Sequence, residues 1–142
     1  MDRHKILLQL PYSKPFLFVD EIISIDENGV VGCFTFQENL DFYKGHFKDN
    51  PITPGVILTE TMAQIGLVCL GIYLLKNDNC ASSFALTSTD LAFLKPVFPN
   101  EKVTVVSEKI YFRFGKLKCS VKMINCNNDV VCRGFISGML LI

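Results

Sequence analysis

The residues best suited to carry chemistry lie between Tyr43 and Gln64, in the stretch YKGHFKDNPITPGVILTETMAQ. His46, one of only 2 histidines in the chain, follows a glycine in a segment that prolines interrupt. Glu60 is the one acidic residue of the apolar segment that comes next. Burying an unpaired carboxylate is unfavourable and raises its pKa. A glutamate in this apolar segment is therefore a candidate for a chemical role. Such a carboxyl and a nearby imidazole could act together as acid and base on one substrate.

Two further residues of this stretch could support that chemistry. Gly55 follows Pro54 at the predicted start of a helix, where backbone N–H groups and the helix dipole favour negative charge. A glycine at that point also lets the backbone approach a substrate closely. Gln64 lies one helical turn after Glu60 on the same face, so its amide could orient the carboxyl by a hydrogen bond.

The composition indicates one globular domain. A chain of 142 residues suits a single domain over residues 1–142, and 49% hydrophobic residues are enough for a sizeable core. The formal net charge is zero, so no general attraction to nucleic acid is expected. The opening MDRHKILLQLPYSKP has no apolar run typical of an export signal. We therefore expect a cytoplasmic protein whose 6 scattered cysteines are reduced and mostly buried, with no metal site.

The apolar segment from Gly55 to Leu75 raises the question of a membrane span. It is long enough, because a spanning helix needs about 20 apolar residues. However, Glu60 and Gln64 interrupt it, and no basic cluster flanks it to set an orientation. A buried core helix is therefore favoured over a membrane span.

The rest of the chain supplies the elements that must position these residues. Asp2 can cap a short helix that Pro11 ends. A long helix is predicted from Pro54 to Lys76–Asn77, and its apolar surface requires that other elements enclose it. Strands are predicted at Phe16–Ile25, Val30–Phe36, Phe84–Leu94, Lys102–Phe114, 116–123 and Val130–Ile142.

One predicted strand changes the side on which its apolar residues fall. They occupy odd positions at Val103 and Val105, then even positions from Val106 to Phe114. This switch predicts a bulge near Val106–Ser107, which would bend the sheet. The order of elements favours an α+β protein in which a curved antiparallel sheet wraps one central helix, as in the hotdog fold.

The segment GHFKDNPITPGVILTETMAQ resembles the signature of the hotdog-fold (3R)-3-hydroxyacyl-acyl-carrier-protein dehydratases of type II fatty acid synthesis. In that family a histidine lies in Gly-His-Phe, Pro-Gly follows, and a Glu or Asp lies on the central helix. His46, Pro54–Gly55 and Glu60 keep the family's offsets, and Ala63–Gln64 match its Ala-Gln. Upstream, LPYSKPFLFVD resembles the family's opening motif, so the resemblance covers essentially the whole chain.

A few positions depart from the family pattern. Tyr12 and Ser13 stand where the family usually has His-Arg, which can alter the tunnel mouth or the dimer. Lys48 replaces a proline, and Thr53 stands where Met is common. Lys48 loosens a loop that proline would stiffen.

The resemblance implies dehydration of 3-hydroxyacyl thioesters to trans-2-enoyl thioesters. The substrate would be carried on the phosphopantetheine of acyl carrier protein, and no cofactor would be needed. His46 would act as base, Glu60 as acid, and Gly55 N–H would face the enolate charge. The resemblance also implies that each site pairs His46 of one subunit with Glu60 of the other, in an obligatory homodimer or an assembly of dimers.

The remaining basic residues and two rival functions stay open at this point. Lys44 and Lys48, or the lysine face over 116–122, could contact an acidic carrier protein. A hotdog thioesterase would use Glu60 to activate water, which leaves the Gly-His-Phe loop without a role. A non-catalytic hotdog partner would bind acyl carrier protein or complete a heterodimer, and the presence of both His46 and Glu60 argues against it.

Overall fold

The computed structural model describes residues 2–76 and 83–141. A long central helix, Gly55–Leu75, consists of two α-helical parts with a π-helical segment between them. A short 3₁₀ helix at Asp41–Lys44 precedes it. The elements in chain order are α1 (Arg3–Gln9), β1 (Glu21–Asp26), β2 (Gly29–Thr35), α2 (Gly55–Ala63), the π-helical segment (Gln64–Cys69), α3 (Leu70–Leu75), β3 (Ser83–Phe93), β4 (Lys102–Arg113), β5 (Lys116–Ile124) and β6 (Val130–Leu141).

The described strands form one sheet that surrounds the central helix. Their order across the sheet is β1-β2-β4-β5-β6-β3, and every neighbouring pair is antiparallel. Strand β3, which follows the helix in the chain, therefore lies at one edge of the sheet. A curved antiparallel sheet around one long helix is the hotdog fold, so the predicted fold class is confirmed.

The π-helical segment is the most enclosed part of the helix. All of its residues are buried, because the sheet comes close to it at two glycines. A Cβ on Gly32 would lie 2.7 Å from Ile65 Cγ2, and one on Gly138 would overlap Leu67. Only glycine leaves room for the helix at these two points. Close packing of this kind holds the helix in one position along its axis.

The central helix begins after Pro54 and ends at Lys76, which has a left-handed backbone with φ of 49°. The predicted end at Lys76–Asn77 agrees as far as Lys76, and Asn77 lies outside the described residues. By length and composition, Gly55–Leu75 is the one described helix that could cross a membrane. Most of it is buried inside the sheet instead, as a core helix would be.

The first predicted strand starts too early. It was expected over Phe16–Ile25, but β1 begins at Glu21. The reason is that the backbone of Phe16 and Phe18 bonds to the side-chain amide of Gln64 rather than to a neighbouring strand. Leu17, Phe18 and Val19 pack against the core around the helix, and apolar composition alone does not distinguish this from a strand.

The predicted bulge exists, but at a different residue. The pairing of β4 with β5 shifts between Lys109 and Tyr111, not at Val106–Ser107. Ser107 is buried and faces the helix, where its hydroxyl donates to Gly66 O at 2.8 Å. The inward positions of β4 therefore continue from Val103 and Val105 to Ser107, because this hydroxyl satisfies a buried helix carbonyl.

Three other local predictions are confirmed for the described residues: the cap of α1, the alternation in β5 and the burial of most cysteines. Asp2 caps α1 by accepting a hydrogen bond from Lys5 N at 2.9 Å. The inward face of β5 is buried, and it comprises Leu117, Cys119, Val121 and Met123. The described cysteines form no disulfide: Cys33, Cys69, Cys119 and Cys132 are buried and Cys126 is exposed. Cys80 lies outside the described residues.

Candidate active site

Gln64 links Glu60 to the segment before β1 by hydrogen bonds. Its side chain is fully buried, and its Oε1 accepts a hydrogen bond from Phe18 N at 2.8 Å. Its Nε2 donates both to Phe16 O at 3.0 Å and to Glu60 Oε2 at 2.9 Å. Because one end of the amide is held by the segment before β1, the other end holds the Glu60 carboxyl in one orientation.

The surroundings of Glu60 favour its neutral form. Partial burial raises the pKa of this carboxyl above its ordinary value, and the hydrogen bond from Gln64 opposes part of that shift. A neutral carboxylic acid has a proton to donate, whereas a carboxylate does not. Glu60 is therefore placed to act as a general acid more readily than an ordinary surface glutamate.

Gly55 and Glu60 face one cleft of about 450 Å³ between α2 and the edge strand β3. The residues that line it are Gly55, Val56, Thr59, Glu60, Leu86, Thr89 and Phe93. Gly55 packs against the ring of Phe93, where an added Cβ would lie 3.4 Å from the ring. No side chain among the described residues caps the N terminus of α2. The first N–H groups of α2 therefore lie beside this cleft without a side-chain acceptor.

His46 lies on a separate loop, and its ring has a defined orientation. Nδ1 is 2.8 Å from Ile52 O, and the ring stacks on Phe47 with 3.8 Å between the ring centres. The peptide bond between these two residues is cis. A carbonyl oxygen can only accept, so Nδ1 carries the proton that fills this contact. Nε2 is then left with a free lone pair and can act as a base.

Within one chain, the structure brings together three of the predicted residues. Gly55 and Glu60 line one cleft, Gln64 lies behind it and donates to Glu60, and His46 is not among the residues that line it. Lys44, at the end of the 3₁₀ helix, and Lys48, on the His46 loop, are both exposed, and Lys44 forms an ion pair with Asp41 at 3.2 Å. A second open cleft of about 470 Å³, on the outer face of the sheet, contains none of these residues.

Several residues of the site were not found from the sequence. The backbone of Phe16 and Phe18, which holds Gln64, leaves no pattern in the side chains. Leu86, Thr89 and Phe93 line the cleft because folding brings the edge strand β3 beside α2.

Tyr12 also lies near Glu60. Burial raises the pKa of Tyr12 to about 12, and the charge of Glu60 adds to that shift. The only sequence signal for Tyr12 was its departure from the family pattern.

Comparison with known proteins identifies the family. The model of the FabA-like domain matches residues 10–134. The chain belongs to the FabA-like domain family. This FabA-like chain is 36% identical over 134 residues to the 3-hydroxyacyl-[acyl-carrier-protein] dehydratase FabZ of Caldicellulosiruptor bescii, covering 92% of this chain and 91% of the relative. It is 34% identical over 146 residues to FabZ of Sinorhizobium medicae, covering 99% and 90% of the two chains.

Several solved structures have the same fold as this FabA-like chain. The dehydratase heterocomplex ApeI:P of Xenorhabdus doucetiae matches with a TM-score of 0.79 at 13% identity, covering 96% of this chain and 91% of that one. A mutant thioesterase from Pseudomonas aeruginosa matches with a TM-score of 0.73 at 11% identity, covering 99% and 94%. Both dehydratases and thioesterases therefore share this architecture, and the fold alone does not select between them.

Proposed function

We propose that this protein dehydrates (3R)-3-hydroxyacyl thioesters, carried on acyl carrier protein, to trans-2-enoyl thioesters. The observation that carries the proposal is the Glu60 carboxyl, which is oriented by Gln64 and has a raised pKa. The FabZ relatives, which match over most of the chain, are named for this reaction. The pathway would be fatty acid synthesis or the synthesis of a related acyl chain.

In the proposed reaction His46 is the base. Nδ1 is engaged with Ile52 O, so Nε2 would remove the proton from C2 of the substrate. The thioester carbonyl makes that proton acidic, because the charge that develops spreads onto the carbonyl oxygen. Gly55 N–H, at the positive end of the helix dipole, would donate a hydrogen bond to this oxygen.

Glu60 completes the elimination as the acid. Its proton would pass to the hydroxyl on C3, which leaves as water while the C2–C3 double bond forms. His46 is then protonated and Glu60 ionised, and exchange with solvent restores both. The residues supply every proton in this scheme, so the proposed enzyme needs no metal or cofactor beyond the phosphopantetheine arm that carries the substrate.

We further propose that the functional unit is a homodimer whose sites are shared. His46 does not line the cleft that contains Glu60 of the same chain, so a partner subunit is the economical source of the base. The edge strand β3 supports this arrangement: it is 11 residues long and mostly exposed, and it forms one wall of the cleft. An edge of this length is suited to pairing with another strand.

The proposed partner is acyl carrier protein, and the proposed location is the cytoplasm. Lys48 lies on the exposed loop that carries His46, and Lys44 ends the short 3₁₀ helix just before it, where it pairs with Asp41. These two ammonium groups would contact an acidic carrier protein at the mouth of the site. The described cysteines, which form no disulfide, are those expected in a reducing compartment.

Incubation with a (3R)-3-hydroxyacyl thioester separates the proposed function from its alternatives. A dehydratase yields the trans-2-enoyl thioester and loses one water in the mass spectrum. A thioesterase that uses Glu60 releases free thiol, and a non-catalytic partner does neither. The (3S) substrate serves as the control, because a site with fixed acid and base should discriminate between the two configurations. Free thiol as the main product would overturn the proposal.

A further inference from the structure

A buried polar pair joins the segment that carries His46 to the segment that begins the central helix. The hydroxyl of Tyr43 is 2.5 Å from Thr53 Oγ1. Tyr43 is 7% exposed and Thr53 is 4% exposed, so water competes little for this bond. Burial raises the pKa of Tyr43 and the bond to Thr53 opposes the shift. Tyr43 therefore remains a neutral phenol near neutral pH and can donate.

The two members of the pair are next to the residues with proposed roles. Tyr43 belongs to the short 3₁₀ helix and lies three residues before His46. Thr53 lies two residues before Gly55 and is itself fixed, because its N–H donates to Val97 O at 2.9 Å. The hydrogen bond thus joins the segment that carries His46 to the segment that begins the central helix.

Between these two segments the chain is largely exposed. Residues 47–51 are all exposed, and Phe47 has 52% of its surface accessible. The loop closes on itself through Ile52, whose N–H donates to His46 O at 2.9 Å and whose O lies against the ring of His46. The Tyr43–Thr53 bond lies beneath this closure, on the buried side.

We propose that Tyr43 and Thr53 are positioning residues, whose hydrogen bond holds the segment that carries His46 against the start of the central helix of the same chain. This inference rests on the proposed function, in which His46 removes a proton from the substrate. The base must come within hydrogen-bond reach of that proton, so the segment that carries it must keep one position on its own subunit. A polar pair fits this task because it is directional, whereas an apolar contact tolerates sliding.

The test removes each hydroxyl without changing the volume of the side chain. Tyr43→Phe and Thr53→Val are each expected to lower kcat about tenfold to a hundredfold, because a misplacement of about 1 Å costs that much. KM should change less than about threefold, since neither group touches the substrate. Thr53→Ser, which keeps the hydroxyl, should stay within about threefold of the wild type. Tyr73→Phe is the matched control and should leave kcat unchanged.

The double variant separates positioning from simple stabilisation. With both hydroxyls gone, no buried group is left without a partner, so Tyr43→Phe/Thr53→Val should be no slower than the poorer single variant. All assays are made well below the melting temperature of each variant, with size-exclusion chromatography confirming assembly. Wild-type kcat in both single variants, or equal loss in Tyr73→Phe, would overturn the inference.

A second readout makes the outcome independent of turnover. In nitrogen-15 NMR of the histidine rings, His46 should give one sharp set of signals in the wild type. It should broaden or split in Tyr43→Phe and Thr53→Val but not in Thr53→Ser. If the wild type shows no dehydration, the proposed function fails while these spectra still test the pair. If the wild type is active and the spectra of the variants are unchanged, only the inference about Tyr43 and Thr53 fails.

Discussion

At the scale of single residues, the surroundings of Glu60 both favour its protonated form and hold its carboxyl in one orientation. Its position on a half-buried helix face raises its pKa, which keeps a proton available. The amide of Gln64 fixes one carboxyl oxygen at 2.9 Å, which determines where that proton points. His46 is oriented in a comparable way, through the contact of Nδ1 with Ile52 O. In each case a neighbour holds one atom of the side chain and leaves another free to react.

The first prediction removes each reacting group. His46→Ala and Glu60→Ala should each lower kcat for dehydration about a hundredfold or more, which is the scale of losing a general base or acid. The dimer should persist in both. Initial rates of enoyl formation, with size-exclusion chromatography, check this.

Matched controls for these substitutions are His4→Ala and Glu27→Ala, because both residues are exposed and far from the site in sequence. They should retain wild-type rates. Turnover close to that of the wild type in His46→Ala or Glu60→Ala would show that the residue has been assigned wrongly.

The raised pKa of Glu60 leads to a second prediction, about stability and pH. The folded protein holds the proton more tightly than the unfolded chain, so ionisation of Glu60 is unfavourable for folding above its folded-state pKa. The penalty disappears below the unfolded value of 4.5. Stability therefore falls as pH rises through this window. Glu60→Gln removes the charge, so it should raise the melting temperature at pH values near neutrality relative to wild type.

Near pH 4 the melting temperatures of Glu60→Gln and wild type should converge, because Glu60 is then protonated in both folded and unfolded states. Thermal denaturation across the pH range provides the measurement. A difference between the two proteins that does not change with pH would contradict the raised pKa.

At the scale of elements, the central helix departs from a regular α-helix at the position that holds Gln64. The π-helical segment begins at Gln64, and Leu70 N–H bonds to Leu67 O rather than to the carbonyl four residues back. That carbonyl belongs to Gly66 and accepts from the hydroxyl of Ser107 on β4. Irregular helical turns of this kind often occur at functional sites. Here the hydroxyl of Ser107, on the sheet, donates to the Gly66 carbonyl, which does not accept from Leu70 N–H.

A third prediction follows for Ser107. Ser107→Ala takes a donor away from a buried carbonyl, which should lower the free energy of unfolding by about 1–3 kcal/mol. Ser120→Ala is the matched control, because this serine is on the opposite face of a neighbouring strand and should change stability by less than about 0.5 kcal/mol. Chemical denaturation measures both. Equal stability of Ser107→Ala and the wild type would show that another donor replaces the hydroxyl.

At the scale of the whole molecule, one edge of the sheet is left uncovered. The sheet ends at β3, which is exposed along most of its length. Large apolar side chains near this edge are also exposed, among them Val56, Leu86 and Phe93. An exposed strand edge with apolar neighbours is unusual in an isolated subunit. A second copy of the chain would cover it and would bring its own His46 loop.

The fourth prediction tests the shared site directly. After subunit exchange, an equal mixture of His46→Ala and Glu60→Ala should regain about a quarter of wild-type activity. Half of the dimers formed by random exchange are mixed, and each mixed dimer has one intact site of two. Rates before and after exchange supply the measurement, and mass spectrometry under native conditions confirms the mixed dimers. Mixed dimers without activity would mean that each subunit contains its own complete site.

The sequence by itself determined the fold class and the order of elements, and it supplied the residues that are proposed to react. These follow from local patterns: the alternation in β5, the apolar length of the central helix, and the spacing from His46 through Gly55 to Glu60. Such patterns are readable because neighbouring residues in a helix or strand have fixed relative positions. The family resemblance rests on the same short-range spacing.

Only the tertiary structure decided how these residues are held. The partners of Gln64 lie 46 and 48 residues away in the chain, and the acceptor for Ser107 is 41 residues away. For this reason the predicted first strand began too early, at Phe16, and the predicted bulge was placed at Val106–Ser107 rather than between Lys109 and Tyr111. Backbone groups and hydroxyls give no periodic signal, because what satisfies them depends on which distant segment folding brings within hydrogen-bond distance.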